Sequence, residues 1–466
     1  MVSVNDYNVV ILGLSFMFIF TAFQTTTLIE ESILKSAKNE SVPPSAFKAS
    51  GYYSLCIIYT SFSVFNWFAP PIIAFIGAKF SMMLGGFCYW VFICSLYFVS
   101  KYVDYDLSGL LYATSVVIGF GAAVIWTAQG HCLTMNSTDE TMGRNSGVFW
   151  AFFQCSFLIG SLIVYYCFKP KSDNSNDAII SLEQRSIVLI IFTALAAFGS
   201  LFFFLLRSPR TSRGQESNEN LIVNIGRSDR SETNPSPLES LISSFKLFFT
   251  KPMLLLNIVF LYTGLELTFF SGVYGTSVGN TLHFHDSRRL IGLSGVFIGV
   301  GEILGGGLFG IFGGRITTKG RDSVVLLGMF IHFVTFYLIL LNLPEESPNG
   351  DSHEMGYWFK PSVPIAMVCA FLLGFGDSCF NTQIMSLLGN FYSDNSASAF
   401  AIFKFTQSVA AAIGFFYSTI LELKAQLLIL VITAFLGTMS FFIVERMAKS
   451  KARAGYRVRD AFGDRQ

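Results

Sequence analysis

Apolar runs of membrane-spanning length recur along the whole chain, and they constrain its fold more than any other feature. A helix rises 1.5 Å per residue, so crossing about 30 Å of hydrocarbon takes roughly 20 mainly apolar residues. Twelve segments meet that requirement, near 8–30, 50–76, 80–100, 108–132, 145–168, 184–207, 253–275, 290–314, 323–343, 362–388, 396–419 and 425–445. In hydrocarbon every backbone N–H and C=O must be satisfied within the protein, which makes such runs helices. Composition agrees, since 52% of the 466 residues are hydrophobic and only 13% are charged, against about 25% charged in soluble domains. Soluble enzyme, secreted disulfide scaffold, disordered regulator and nucleic-acid binder are all excluded as classes. The first run has no basic segment before it and no cleavage-like end, so it reads as a retained helix.

One polar insert, 208–251, divides the spans six and six. The expected organisation is an N-terminal six-helix half (1–207), a cytoplasmic linker (208–251), a C-terminal half (252–446) and a basic tail (447–466). The linker opens as RSPRTSRGQESNEN and turns amphipathic at LESLISSFKLFF, the pattern of a short helix lying on a membrane surface. With both termini inside, nineteen of the 31 Lys and Arg fall on the inner side, eleven on the outer side, and Lys404 within a span. That excess favours cytoplasmic termini. Lys35, Lys38 and Lys48 in the first outer loop run locally against it. The same loop holds Asn39-Glu40-Ser41, a sequon open to glycosylation only on the outer side; Asn136-Ser137-Thr138 falls inside and should be unused. The eight cysteines lie in or at the ends of apolar segments with no CxxC, so they read as packing residues, and no metal site or cofactor is expected.

Short matches recur in order between the halves. Phe20-Thr21-Ala22-Phe23-Gln24 aligns with Tyr262-Thr263-Gly264-Leu265-Glu266, Gly77-Ala78-Lys79 with Gly313-Gly314-Arg315, Gly119-Phe120-Gly121 with Gly374-Phe375-Gly376, and Phe152-Phe153-Gln154 with Phe405-Thr406-Gln407. The offsets are 242, 236, 255 and 253. Parallel copies of one six-helix unit are expected. The copies differ where charge is concerned: Glu266 answers to Gln24, Glu302 to Asn66, Asp377 to Ala122 and Lys404 to Ala151.

An ionised side chain near the bilayer centre costs on the order of 3 kcal/mol, so these four charges must pair, line a wet cavity or be neutralised by a proton. Asp377 and Lys404 sit on consecutive antiparallel spans at matching depth and are expected to pair, whether to fix packing or to function. Glu302 interrupts a stripe of Gly295, Gly299, Gly306 and Gly310, a pattern of close helix approach. The candidate solute- or ion-coupling set is Glu266, Glu302, Asp377 and Lys404, with Gln24, Asn66, Asn381 and Gln407 as uncharged members. Pro70-Pro71 should kink the second span, His332 and His131 read as satisfied hydrogen-bonders, and Trp126 and Trp150 as lipid-facing or interfacial. No P-loop, dinucleotide fingerprint or catalytic triad pattern occurs, so no enzyme activity is expected.

The stretches FMFIFTAFQT (16–25), WTAQG (126–130), GRNSGVFWA (143–151), YTGLELTFFSGVYGT (262–276), LIGLSGVFIGVGEILGG (290–306), LLGFGDSCFNTQ (372–383) and AFAIFKF (399–405) carry a further signal. Together with the two six-helix halves they resemble the uncoordinated-ninety-three-like branch of the major facilitator superfamily, over nearly the whole chain. The resemblance implies an all-α polytopic fold of twelve transmembrane helices in two pseudo-symmetric halves. It also implies a central cavity lined by spans one, two, four, five, seven, eight, ten and eleven. The superfamily's loop after span two normally carries Gly, Asp and several basic residues; here GAKFS (77–81) lacks the Asp, and GGRITTKGRD (313–322) displaces the acid to Asp322. Two functions follow as expectations: a proton- or cation-coupled transporter of a small solute, or an accessory subunit or escort of a channel or receptor in the same bilayer.

Overall fold

Burying every backbone polar group within each apolar run leaves helix as the local structure, and helices account for most of the described residues. The computed structural model describes residues 4–42, 47–136, 142–169, 180–207, 242, 245–311, 320–357, 360–392 and 396–463. The first half contains α1 (Val4–Glu40), α2 (Gly51–Asn66), α3 (Ala69–Ile76), α4 (Ala78–Lys101), α5 (Ser108–Met135), α6 (Met142–Cys167) and α7 (Leu182–Phe202). The second contains α8 (Lys251–Thr268), α9 (Tyr274–Asn280), α10 (Ser287–Ile311), α11 (Asp322–Asn342), α12 (Val363–Phe391), α13 (Ser396–Tyr417) and α14 (Leu423–Gly463). A π-helical turn, Phe269–Val273, joins α8 to α9 in one path.

Among the described residues, eleven helical segments are long and apolar enough to cross a membrane, one fewer than expected. The difference lies in the expected span 50–76, which is divided between α2 and α3. The break falls at Trp67–Phe68, just ahead of the two prolines, which occupy the first turn of α3. There their missing N–H groups and fixed φ are tolerated, whereas inside a continuous helix they would not be. Two boundaries also move. α1 runs on to Glu40, so Glu31, Lys35 and Lys38 belong to the helix and not to the following loop. α14 continues through most of the segment expected as a separate tail. Of the linker's amphipathic stretch only 242 and 245–249 lie within the described residues, and these are helical up to 248.

The same packing pattern occurs twice. α1 packs on α6 and α7, α5 on α2 and α4, and α4 on α7; correspondingly α8 packs on α13 and α14, α12 on α10 and α11, and α11 on α14. The halves meet where α6 packs on α10 and α13 on α2. Both chain ends lie on one side. Near the N-terminus, Asn8 donates to Asn136 and to the Arg207 carbonyl. Near the C-terminus, Arg321 reaches both Ser386 and Glu445. On the opposite side the halves are sealed. A Cβ on Gly292 of α10 would stand 2.5 Å from the Tyr165 amide of α6, and one on Gly299 would stand 3.2 Å from Leu158. Tyr52 donates to the Pro348 carbonyl at 3.1 Å, and the Arg289 guanidinium lies 4.0 Å over the Tyr165 ring.

On the terminal side each half is tied by a cation. Lys79 donates to the carbonyls of Phe204 and Leu206 at the end of α7, at 2.7 and 2.8 Å. Arg321 pairs with Glu445 at 3.0 Å, both side chains under 10% exposed, and Lys449 reaches Asp322 at 3.5 Å. Removing one member of a buried pair strands the other charge at a cost of about 3 kcal/mol or more. Glu445→Ala is therefore expected to lower the melting temperature of the purified protein markedly, while Arg321→Met combined with Glu445→Leu recovers most of the loss.

Candidate functional site

Where the halves part on the terminal side, they enclose a cavity of about 810 Å³. It takes its walls from mid-depth and terminal-side stretches: around 20–27 of α1, 302–309 of α10, 377–386 of α12 and 404–408 of α13. All eight expected spans contribute, and Tyr89 of α4 adds a ninth helix. The glycine stripe explains the shape. Gly295 and Gly299 press against α6 and close the far side, whereas a Cβ on Gly306 would meet nothing within 4 Å and lines the open space. Glu302 lies between the two regimes.

The cavity's walls differ in chemistry. The first half presents Phe20, Tyr59, Tyr89, Trp126, Trp150 and Phe153, with Gln24 and Gln154 among them. Trp126 and Trp150 stack at 6.3 Å between centroids, so the expectation that they face lipid is corrected. They turn inward because α5 and α6 point these faces at Phe16, Phe20 and Phe153, which form an aromatic cluster with them. The second half presents Glu302, Asp377, Asn381, Lys404 and Gln407. Six of the eight candidate residues thus line the cavity.

The other two do not. Asn66 ends α2 at the break, and its side-chain nitrogen has no hydrogen-bond partner. Glu266 is buried behind the wall and is not spatially equivalent to Gln24, which faces the cavity and accepts a hydrogen bond from Ser156 at 2.7 Å. One residue of helix is a 100° turn, so a sequence match of this length does not fix which way a side chain points.

The expected direct pairing of Asp377 with Lys404 is also corrected. Each is held by a neighbour one turn along its own helix: Asn381 donates to Asp377 Oδ1 at 2.6 Å, and Lys404 Nζ donates to Gln407 Oε1 at 2.9 Å. Among the described residues no ion pair joins the two, though both line the same cavity wall. Lys404 also lies over the Phe403 ring at 4.8 Å and faces Trp126 at 5.9 Å.

Behind this wall runs a buried polar chain. Asp377 is a close neighbour of Glu266. Glu266 Oε1 is 3.7 Å from His332 Nε2, and the other imidazole nitrogen, Nδ1, meets the Tyr262 hydroxyl. His332 Nε2 is 3.1 Å from the Leu373 carbonyl, so the expectation of a satisfied histidine holds, with a carboxyl beside it that the sequence did not reveal. The close fit of His332 against Gly376 brings α11 onto α12. Sequence reasoning also missed Glu30. It is fully buried in α1, with neither carboxyl oxygen in a hydrogen bond by distance and angle, next to Glu31, whose carboxylate accepts from the Gly51 and Tyr52 amides at 2.8 and 3.2 Å. The signal was present as two acids ending an apolar run, and only the continuation of α1 to Glu40 places them inside the bundle.

Residues 44–442 match the model of a protein family described as "Ion channel regulatory protein UNC-93". The chain is 47% identical to UNC93-like protein MFSD11 of Xenopus tropicalis, over 94% of this chain and 95% of that one. The chain belongs to the UNC-93 family. More distant members share 26% identity with it in the mouse protein unc-93 homolog A, over 94% of this chain and 91% of that one. The Arabidopsis thaliana UNC93-like protein 3 shares 25%, over 91% and 82%. Two solved transporters have the fold of this UNC-93 family chain. The nucleoside transporter NupG superposes with a TM-score of 0.60 at 13% identity, covering 94% of this chain and 98% of that one. The peptide transporter POT, in complex with sulfate, gives 0.62 at 11%, covering 96% and 95%. The fold is of the major facilitator type.

Opening of the UNC-93 bundle on one side only is testable with thiols. Gly306→Cys should react with a polar maleimide, and Gly295→Cys, pressed against Ser161, should not; peptide mass spectrometry locates the label among the native cysteines.

Proposed function

We propose that this chain is a secondary transporter that couples movement of a small solute to protons through the acidic wall of its central cavity. The observation that carries the reading is the placement of Glu302, Asp377 and Lys404 on one wall of a cavity closed on one side of the bundle. A solute-binding site between two pseudo-symmetric halves, sealed at one end, is the arrangement that alternating access requires. The transporter folds of NupG and POT lend support at the level of architecture.

The coupling step in this reading is proton exchange on the acids. Two neighbouring carboxyl groups bond to each other only when a proton lies between them, as a bond between Glu266 and Asp377 would require. Glu302 is the acid that exchanges its proton with the cavity, Asp377 shares one with Glu266, and His332, fixed by Tyr262 and the Leu373 carbonyl, stands behind Glu266. Lys404 sets the balance of charge on the wall. Gln24 and Gln407 orient the solute by uncharged hydrogen bonds, from opposite halves.

The arginine and lysine distribution supports termini on the cytoplasmic side, with the cavity then open to the cytoplasm. The same orientation puts Asn39, exposed in the last turn of α1, on the side where its sequon is available for glycosylation. The linker then joins two six-helix halves across the cytoplasmic face.

In proteoliposomes an imposed pH gradient is expected to drive uptake of at least one member of a broad solute panel. Glu302→Gln and Asp377→Asn should abolish the response to the gradient, and His332→Gln should weaken it. Uptake that is indifferent to pH in the wild type, or unchanged in both acid variants, would sink the proposal. The wording of the family description supports a second reading, in which the chain accompanies a channel without moving solute. Stoichiometric co-purification of a channel, with its currents unaffected by Glu302→Gln, favours that reading instead.

A further inference from the structure

The two walls of the cavity, taken together, specify a chemical class of solute. This inference rests on the transporter reading for its purpose but not for its test. The aromatic wall offers flat apolar surface from Trp126, Trp150, Phe153, Phe20 and Tyr89. Ring faces carry negative potential and attract cations within about 6 Å, the more strongly in a desolvated site. The opposite wall carries two carboxyl groups, Glu302 and Asp377, against one ammonium, Lys404. Glu266 stands directly behind Asp377 with one carboxyl oxygen, Oε1, lacking a hydrogen-bond partner.

Lys404 itself shows how the site treats a cation. Its ammonium rests over Phe403, faces Trp126 and is steadied by a single amide oxygen, that of Gln407. An anion entering the cavity would meet two carboxyls and an ammonium already engaged by Gln407. A neutral polar solute would leave the aromatic surface facing polar groups. A cation with a broad apolar or aromatic body satisfies both walls at once, its body on the rings and its charge toward Glu302 and Asp377. A volume of about 810 Å³ suits a molecule of several rings.

We infer that the cavity binds amphipathic organic monocations, with the charge held at Glu302 and Asp377 and the body stacked on Trp126 and Trp150. The positive charge takes the place of a proton on that acid wall, so solute and proton compete for it. The titratable groups facing the wall are Glu302 on α10, Asp377 on α12 and Lys404 on α13, with Tyr59 on α2, Tyr89 on α4 and Cys155 on α6 opposite, and Glu266 and Tyr262 on α8, His332 on α11 and Cys379 on α12 behind.

A matched pair of ions isolates charge from shape. Tetraphenylphosphonium and tetraphenylborate are alike in size and apolar surface and opposite in charge. In lipid nanodiscs without a gradient, quenching of tryptophan fluorescence by the full-length protein is expected to give tetraphenylphosphonium an affinity at least about tenfold higher than tetraphenylborate, after subtraction of protein-free discs. The preference should grow in Lys404→Met and disappear in Glu302→Gln combined with Asp377→Asn. Trp126→Leu should weaken binding of both ions. Equal or tighter binding of tetraphenylborate overturns the inference, as does a cation preference that survives in the double acid variant. If the double variant fails to fold, a Lys404→Met variant without a stronger preference overturns it on its own. Cation preference without pH-driven uptake would uphold this inference and defeat the transporter reading; pH-driven uptake of other solutes without cation preference would do the reverse.

Discussion

The cost of placing charge in hydrocarbon organises this molecule. At roughly 3 kcal/mol or more for each uncompensated group near the bilayer centre, few ionised side chains are tolerated, and each must have a specific environment. Most of those buried in the bundle have partners. Arg185 is enclosed by the carbonyls of Ser100 and Ile180 and by Glu40. Arg288 bridges Asn280 and Asp351, and Arg321 joins α12 and α14. Each of these ties segment ends together near one face of the bundle. Glu302, Asp377 and Lys404 lie deeper, and the compensation available there is a cavity wall.

Close helix approach decides where that cavity can exist. Glycine removes the side chain that would hold two helices apart, and α10 uses this on its far-side half, where Gly292, Gly295 and Gly299 meet α6. Past Glu302 the helices diverge, and Gly306 faces open space. The seal and the cavity are two consequences of one helix packing tightly along part of its length. The π-helical turn at Phe269–Val273 contributes in the same region, placing Phe270 and Ser271 on the wall.

Much of the fold was legible because membrane helices are specified locally. Helical state and membrane-spanning length follow from apolar runs, and the expectation of two halves from the polar insert at 208–251. Charge on one half was equally legible, since Glu302, Asp377 and Lys404 stand in apolar runs whose counterparts are uncharged. Side-chain direction was not legible. Glu266 and Gln24 occupy matching places in the repeat, yet one points into the helix bundle and the other into the cavity. Asp377 and Lys404 match in depth, yet each bonds within its own helix, because a neighbour four or three residues away competes with a partner across a gap. Trp126 and Trp150 could have faced lipid or cavity on composition alone.

The sequence by itself determined that this chain is a polytopic helical membrane protein of two related halves, with its deep charges in the second. The reason is that hydrocarbon imposes length, helix and apolarity residue by residue, so local reading suffices. Tertiary structure alone decided that those charges face an aromatic wall contributed by the other half, and that Glu266, His332 and Tyr262 form a buried chain behind them. These facts depend on helix rotation and on contacts between residues tens to hundreds of positions apart. No periodicity within a single span encodes them.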